Sequence, residues 1–203
     1  MSNPFDVIRQ FEKELARYTG ARFAVATTSC TTALLISLAY FRMCEGTTTV
    51  SLPKFTYVGV AHSVLNAGHK LEFRDEDWQG KGLYQLSPFP IYDSARLLTS
   101  GMFVLGAFQC LSFHWAKHLG IGQGGAILHD SPRADDILRQ MRFDGRTEGV
   151  APADDQFITP AYHAYMMPRD AAEGLTRLAL LPKDNKPLPE AGYADLSKVR
   201  AFR

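Results

Sequence analysis

Ser112-Phe113-His114-Trp115-Ala116-Lys117-His118-Leu119, followed by Gly122-Gln123-Gly124-Gly125-Ala126, places one lysine between an apolar, aromatic run and a glycine-rich turn. Ser112 lies five residues upstream of that lysine. The flanking runs Cys110–Phe113 and Ala126–His129 read as strands, so Lys117 sits in the connection between them. A lysine held there can shed water, lose affinity for its proton and act as an amine nucleophile. The same pattern also suits a surface lysine beside an ordinary turn.

Three segments elsewhere bear on that choice. Ala24-Val25-Ala26-Thr27-Thr28-Ser29-Cys30-Thr31-Thr32-Ala33 reads as a strand, a hydroxyl-rich turn and a helix start. The free N–H groups and positive dipole end of such a helix suit a phosphate, with Ser29, Thr31 and Thr32 as further donors. Ser29 also fits a simple N-cap. In Pro53-Lys54-Phe55-Thr56-Tyr57-Val58, the Tyr57 ring could stack on a flat ligand or fill the core. Phe89-Pro90-Ile91-Tyr92-Asp93-Ser94-Ala95-Arg96 ends an apolar run on one acid, at the strand end where open α/β sheets bind ligands. Opposite a pyridine nitrogen, Asp93 would keep that nitrogen protonated; its other reading is a helix cap. A lysine amine, a phosphate cradle, a stacking ring and a buried acid are the parts of a pyridoxal phosphate site.

The order and spacing of these segments resemble the DegT/StrS-type aminotransferases, fold type I enzymes that use pyridoxal 5'-phosphate and mostly make amino sugars on nucleotide carriers. The flanks agree: Phe11–Ala21 resembles the family's opening helix, Leu138–Arg146 the helix after the glycine-rich strand, and Tyr165–Leu175 the segment before the interdomain helix. The resemblance covers most of residues 5 to 182. It implies that Lys117 binds the cofactor covalently, that Asp93 faces the pyridine nitrogen and that Tyr57 stacks on the ring. Ser29, Cys30, Thr31 and Ser112 would surround the phosphate. The family usually has glycine at the position of Cys30, and glutamine or histidine, near the phenolic oxygen, at that of Arg96. A guanidinium is always charged and accepts no hydrogen bond, so Arg96 would tune the site differently. His163 and Tyr165 fall near positions the family lends to its partner subunit's site.

The chain is shorter than the family's at several places. Residues 1–182 are expected to form one internally shortened cofactor-binding domain, lacking most of the small C-terminal domain. Residues 183–203 are expected to be a polar tail. The fold class expected is α/β, a mainly parallel sheet with helices on both faces. Asn3 is expected to cap the first helix, with Pro4 at its first position and Gly20 at its end. Met102–Ala107 reads as a strand, and Ser131 as the cap of a helix running to about Phe143. His114 reads as a packing residue near the lysine, with a catalytic role as the lesser alternative.

The 203 residues, 46% of them hydrophobic, suffice for one sizeable core. A net charge of +1 with mixed signs points to neither nucleic acid nor a membrane surface as partner. No apolar run has the length of a span, and Met1–Phe5 shows no signal-peptide pattern. The three cysteines, Cys30, Cys44 and Cys110, read as reduced thiols of a cytoplasmic protein. The scattered histidines suggest no metal. The expected function is amino transfer from an amino acid, glutamate first, to a keto sugar on a nucleotide, by a homodimer. A relative that binds cofactor without turnover, as regulator or assembly subunit, stays open. So does a plain nucleotide-binding module, although Thr28-Ser29-Cys30 lacks its glycine-rich turn.

Overall fold

The computed structural model describes Asn3 and residues 5–202. Helix α1 (Asp6–Thr19) buries Ile8, Phe11 and Leu15 along one face and stops at Gly20, whose φ of 79° is left-handed. Asn3 is not the cap that was expected: Phe5 holds the N-cap position without a side-chain cap bond, and Asn3 Oδ1 only accepts the Phe5 N–H at 3.0 Å, one residue before the helix. Pro4 lies outside the described residues. There follow β1 (Phe23–Thr27), α2 (Cys30–Glu45), β2 (Thr49–Pro53), α3 (Val58–Asn66), β3 (Lys70–Arg74), β4 (Tyr84–Gln85), β5 (Ile91–Asp93), β6 (Phe108–Ser112), β7 (Gly125–His129), α4 (Pro132–Arg142) and α5 (Pro168–Leu180). Ser131 caps α4 by accepting the Ala134 N–H.

The main sheet has the order β1-β7-β6-β5-β4, and β2 and β3 form a separate parallel pair. β7 runs antiparallel to both β1 and β6, β5 is parallel to β6, and β4 is antiparallel to β5. Thus β1, β5 and β6 share one direction while β4 and β7 oppose it. The α/β class stands, but the sheet is mixed where a mainly parallel one was expected. The cause is in the connections: residues 113–124 fold into turns without a crossover helix, and the five residues between β4 and β5 make a hairpin, so both chains return antiparallel. Met102–Ala107 forms no strand either. Gly106 takes a φ of 77°, and the Val104 N–H goes to Gln109 Oε1 at 3.1 Å, leaving no extended ladder there.

Side chains alternate between the two faces of the sheet. Ala24, Ala26, Leu111, Ala126 and Leu128 pack against α1 and α5. Val25, Ile91, Cys110 and Ile127 pack against α2, and through it against α3 and α4. The outer edge of β1 is held by side chains. Glu12 Oε1 accepts the Ala26 N–H at 2.7 Å, Arg142 Nη1 donates to the Ala26 carbonyl at 2.6 Å, and Arg139 Nη2 donates to the Ala24 carbonyl at 3.2 Å. Glu12 is itself paired with both arginines, and it and Arg142 are buried. At the other end of the sheet Ser87 exchanges two backbone bonds with Ser51 of β2, and Arg74 Nη2 donates to the Gln85 carbonyl at 2.7 Å.

The segment expected as a polar tail is fastened to the body. Lys183, Leu188 and Leu196 bond to the backbone of Ser100, Arg96 and Lys54, and the Ala191 N–H to Gln79 Oε1. Leu196 is buried, and the Tyr193 ring lies along Trp78 at 6.1 Å and 23°. This strap anchors itself with a few apolar contacts and satisfied backbone groups, although its composition is polar.

Candidate active site

The carboxyl ends of β1, β5 and β6 point the same way and meet the N-terminus of α2. A cavity of about 400 Å³ opens there. All eight cofactor-site residues named from the sequence line it: Ser29, Cys30, Thr31, Tyr57, Asp93, Arg96, Ser112 and Lys117. Each position has a local reason. Asp93 ends β5 and Ser112 ends β6. Ser29 ends the turn after β1, and its Oγ accepts the Thr32 N–H at 3.1 Å, so it is the N-cap of α2 as well as a lining residue. The N–H groups of Cys30 and Thr31, in the first turn of α2, have no helical acceptor.

Gly125, the first residue of β7, crosses directly over this helix start. A Cβ there would stand 2.4 Å from the Cys30 nitrogen, so only glycine lets the strand pass. Gly124 beside it has a φ of 132°, and its carbonyl accepts the Phe113 N–H at 2.9 Å. These glycines bring the two ends of the lysine connection together. Lys117 is half-buried within it, in a turn closed by its own N–H donating to the His114 carbonyl at 2.8 Å.

Asp93 is buried and does not cap a helix. Its Oδ1 accepts the Ala95 N–H at 2.9 Å and is approached by the Cys30 thiol at 3.9 Å, while its Oδ2 accepts the Tyr84 hydroxyl at 2.9 Å. Burial pushes Asp93 above the ordinary carboxylate range, against those hydrogen bonds and the charge of Lys117. Burial pulls the Lys117 amine below its ordinary value, aided by the Arg96 guanidinium and opposed by Asp93 and Cys30. Burial, then the Asp93 charge, pushes the Cys30 thiol well up, which disfavours its thiolate.

Tyr57 is 56% exposed and stands at the rim, which removes its core reading. His114 is exposed as well and lines the cavity, against its expected packing role. Arg96 is buried; its Nη2 donates to the Leu188 carbonyl at 3.1 Å, and its Nε has no partner among the described residues. His163 and Tyr165 are not among the lining residues. His163 Nδ1 lies 2.7 Å from Asp144 Oδ2, and Tyr165 packs edge-on against Phe5 and Phe143.

Among the lining residues that the sequence reading did not name as site residues, one group stands apart. Trp78, Ala191 and Tyr193 form a wall contributed by the strap and the turn beneath it. A Trp and a Tyr bracketing the apolar runs were the only local signal. Their meeting needs the chain to return from more than a hundred residues away.

The donor set fits pyridoxal phosphate. The acid sits in the cavity wall, the amine opens onto the same space, and hydroxyls accompany the Cys30 and Thr31 N–H groups at the helix start. The partnerless Arg96 Nε leaves a donor for an acceptor oxygen.

Comparison with known proteins agrees. The family model of the DegT/DnrJ/EryC1/StrS aminotransferase family matches residues 2–81 and 101–187. The match passes over 82–100, which hold β4, β5, Asp93 and Arg96. The spore coat polysaccharide biosynthesis protein SpsC of Bacillus subtilis (strain 168) is 23% identical over 223 residues, covering 86% of this chain and 57% of SpsC. The fold is shared with AtS13 from Actinomadura melliaura at a TM-score of 0.74 and 17% identity, over 85% of this chain and 59% of AtS13. It is also shared with NtdA from Bacillus subtilis, solved with bound cofactor PMP, at a TM-score of 0.72 and 22% identity, over 88% of this chain and 48% of NtdA. The chain thus spans less than two thirds of each of these proteins.

Proposed function

We propose, from the premise that the chain belongs to the DegT/DnrJ/EryC1/StrS aminotransferase family, that it is a pyridoxal-phosphate-dependent aminotransferase. It would move an amino group from an amino acid, glutamate first, to a keto sugar on a nucleotide carrier. The observation that carries this reading is one cavity shared by Lys117, Asp93 and the start of α2. When bound, pyridoxal phosphate supplies an electron sink that acidifies the α-C–H of an amino donor. Asp93 would face the ring nitrogen and hold it protonated. The Cys30 and Thr31 N–H groups, with the Thr31 and Ser112 hydroxyls, bind the phosphate. Tyr57 covers the ring from the rim. Lys117 holds the cofactor covalently, and its lowered proton affinity suits it to move the proton at the donor's α-carbon. Ser29 serves by fixing the helix start.

The reading extends to a homodimer in which His163 and Tyr165 face a partner's cavity, and to residues 1–182 as the cofactor domain. Three free cysteines and no described helix long and apolar enough to cross a membrane support a reducing, cytoplasmic setting.

Arg96 favours one second reading, cofactor binding without turnover. Its fixed charge beside Lys117 is unlike the neutral residue usual in the resembled family.

The test is reduction of the cofactor-loaded protein with borohydride, followed by peptide mass mapping and spectra with added glutamate. An adduct on Lys117 and loss of the yellow band support transamination. An adduct with no response to any common amino donor supports binding without turnover. No adduct at all removes both readings.

A further inference from the structure

Tyr84 stands opposite Asp93 in the β4–β5 hairpin and is buried, with 1% of its surface exposed. Its hydroxyl has two neighbours: Thr56 Oγ1 at 2.6 Å and Asp93 Oδ2 at 2.9 Å. Thr56, on the connection before α3, is buried too. A phenol carries one proton, and an ionised carboxylate can only accept. Tyr84 therefore donates to Asp93, its oxygen is left to accept, and Thr56 donates to it. The two bonds run in one direction, toward the acid.

We propose that Tyr84, backed by Thr56, is a positioning residue of this site, whose donated hydrogen bond fixes the Asp93 carboxylate and keeps it ionised in the core. The proposal rests on the reading of Asp93 as the partner of the cofactor's ring nitrogen, since only an ionised acid can hold that nitrogen protonated. The Ala95 N–H holds one carboxylate oxygen and Tyr84 the other, so the plane of the group is set from both sides. Both bonds oppose burial, and the Ala95 N–H is the larger influence. The other groups facing Asp93 are Cys30 from α2, Cys110 on β6, Lys117 from the β6–β7 connection, and Tyr193 with Arg96 beside the strap. Among these, Lys117 and Cys30 also favour the charged carboxylate, less than Tyr84 does. Because the family match passes over residues 82–100, the assignment comes from this chain's own hairpin.

The test uses the full chain without added cofactor. Aspartate carboxyl carbons are labelled with 13C, the Asp93 signal is assigned by its loss in Asp93→Asn, and its titration is followed by NMR. Tyr84→Phe deletes one oxygen and should raise the Asp93 midpoint by about one to two pH units, a tenfold or greater loss of acidity. Thr56→Val should raise it by a smaller step, and Thr56→Ser, which keeps the hydroxyl, should restore the wild-type midpoint. An unchanged midpoint in Tyr84→Phe overturns the proposal. Should Tyr84→Phe fail to fold, the threonine pair decides. A rise in Thr56→Val with none in Thr56→Ser supports the relay; equal midpoints in both overturn it. The cofactor reading falls separately, through absence of a borohydride-fixed adduct on Lys117.

Discussion

Arg96 and Leu188 grip each other twice. The Leu188 N–H donates to the Arg96 carbonyl at 2.9 Å, and Arg96 Nη2 returns a bond to the Leu188 carbonyl at 3.1 Å. The strap that walls the cavity is fastened at this point. Arg96→Gln should keep the backbone bond and lose the side-chain one, costing about 1–2 kcal/mol by urea unfolding. Amide exchange at Leu188, Ala191 and Tyr193 should quicken. Unchanged exchange there would mean that the strap holds without Arg96.

Lys117 should be the most reactive lysine at neutral pH. Its amine is pulled below its ordinary value by burial and by Arg96, so a larger share is neutral and nucleophilic. Limited acetylation near pH 7 should label Lys117 ahead of the exposed lysines, and Lys117→Ala should lose the borohydride-fixed cofactor adduct. The sign for stability follows. A folded-state value below the unfolded one gives stability that is present above the unfolded value and lost as pH falls through the folded one. Lys117→Met should therefore be more stable than wild type at neutral pH, and the gap should close at high pH.

Asp93 works in the opposite direction. Its folded-state value is raised, so its contribution to stability is full below the unfolded carboxylate value and disappears as pH rises through the folded one. Asp93→Asn should fold, match or exceed the wild type's thermal stability at pH 7, and show a flatter stability profile through the mildly acidic range. The same variant should lose most of its cofactor-dependent activity. A variant both inactive and markedly less stable at pH 7 would point to a structural role.

Glu12 should be among the costliest surface-distant changes. Glu12→Gln leaves the buried Arg142 without its main counter-charge and should cost about 3–5 kcal/mol in urea unfolding. Arg17→Ala breaks an ion pair whose arginine side chain is 78% exposed and should cost no more than about 1 kcal/mol.

Gly125→Ala should damage the site through packing alone. The added Cβ would strike the Cys30 nitrogen and the Ser29 carbonyl carbon, both 2.4 Å away, and neither backbone atom can move freely. A loss of about 1–3 kcal/mol and a severe drop in cofactor affinity are expected. Gly80→Ala, which meets nothing within 4 Å, is the control. Equal cofactor affinity in the two variants would separate the helix start from phosphate binding.

What could be read in advance follows from what is local. Lys117, Asp93, Ser29 and Ser112 stand where an apolar run gives way to polar or glycine-rich residues, and strand ends are where α/β sheets bind ligands. The direction of β7 left no such mark, because alternation of side chains is the same in either direction. Thr56 and Tyr84 are 28 residues apart, and nothing near either predicts that their hydroxyls meet. The strap looked like a tail because its polar composition hides how it is held, by backbone bonds and by Tyr193 on Trp78.

The two ends of the main sheet have a consequence for how copies of this chain can meet. The β1 rim gives its Ala26 N–H and its Ala24 and Ala26 carbonyls to Glu12, Arg139 and Arg142. At the β4 end the Gln85 carbonyl is taken by Arg74, and Ser87 just beyond the strand is bonded to Ser51. Neither rim offers the unsatisfied row of amides and carbonyls that recruits a foreign strand into a growing stack. Strand addition at either end of this sheet is thereby opposed, and opening the buried cluster at Glu12 would expose a template for amyloid-like addition as well as weaken the fold.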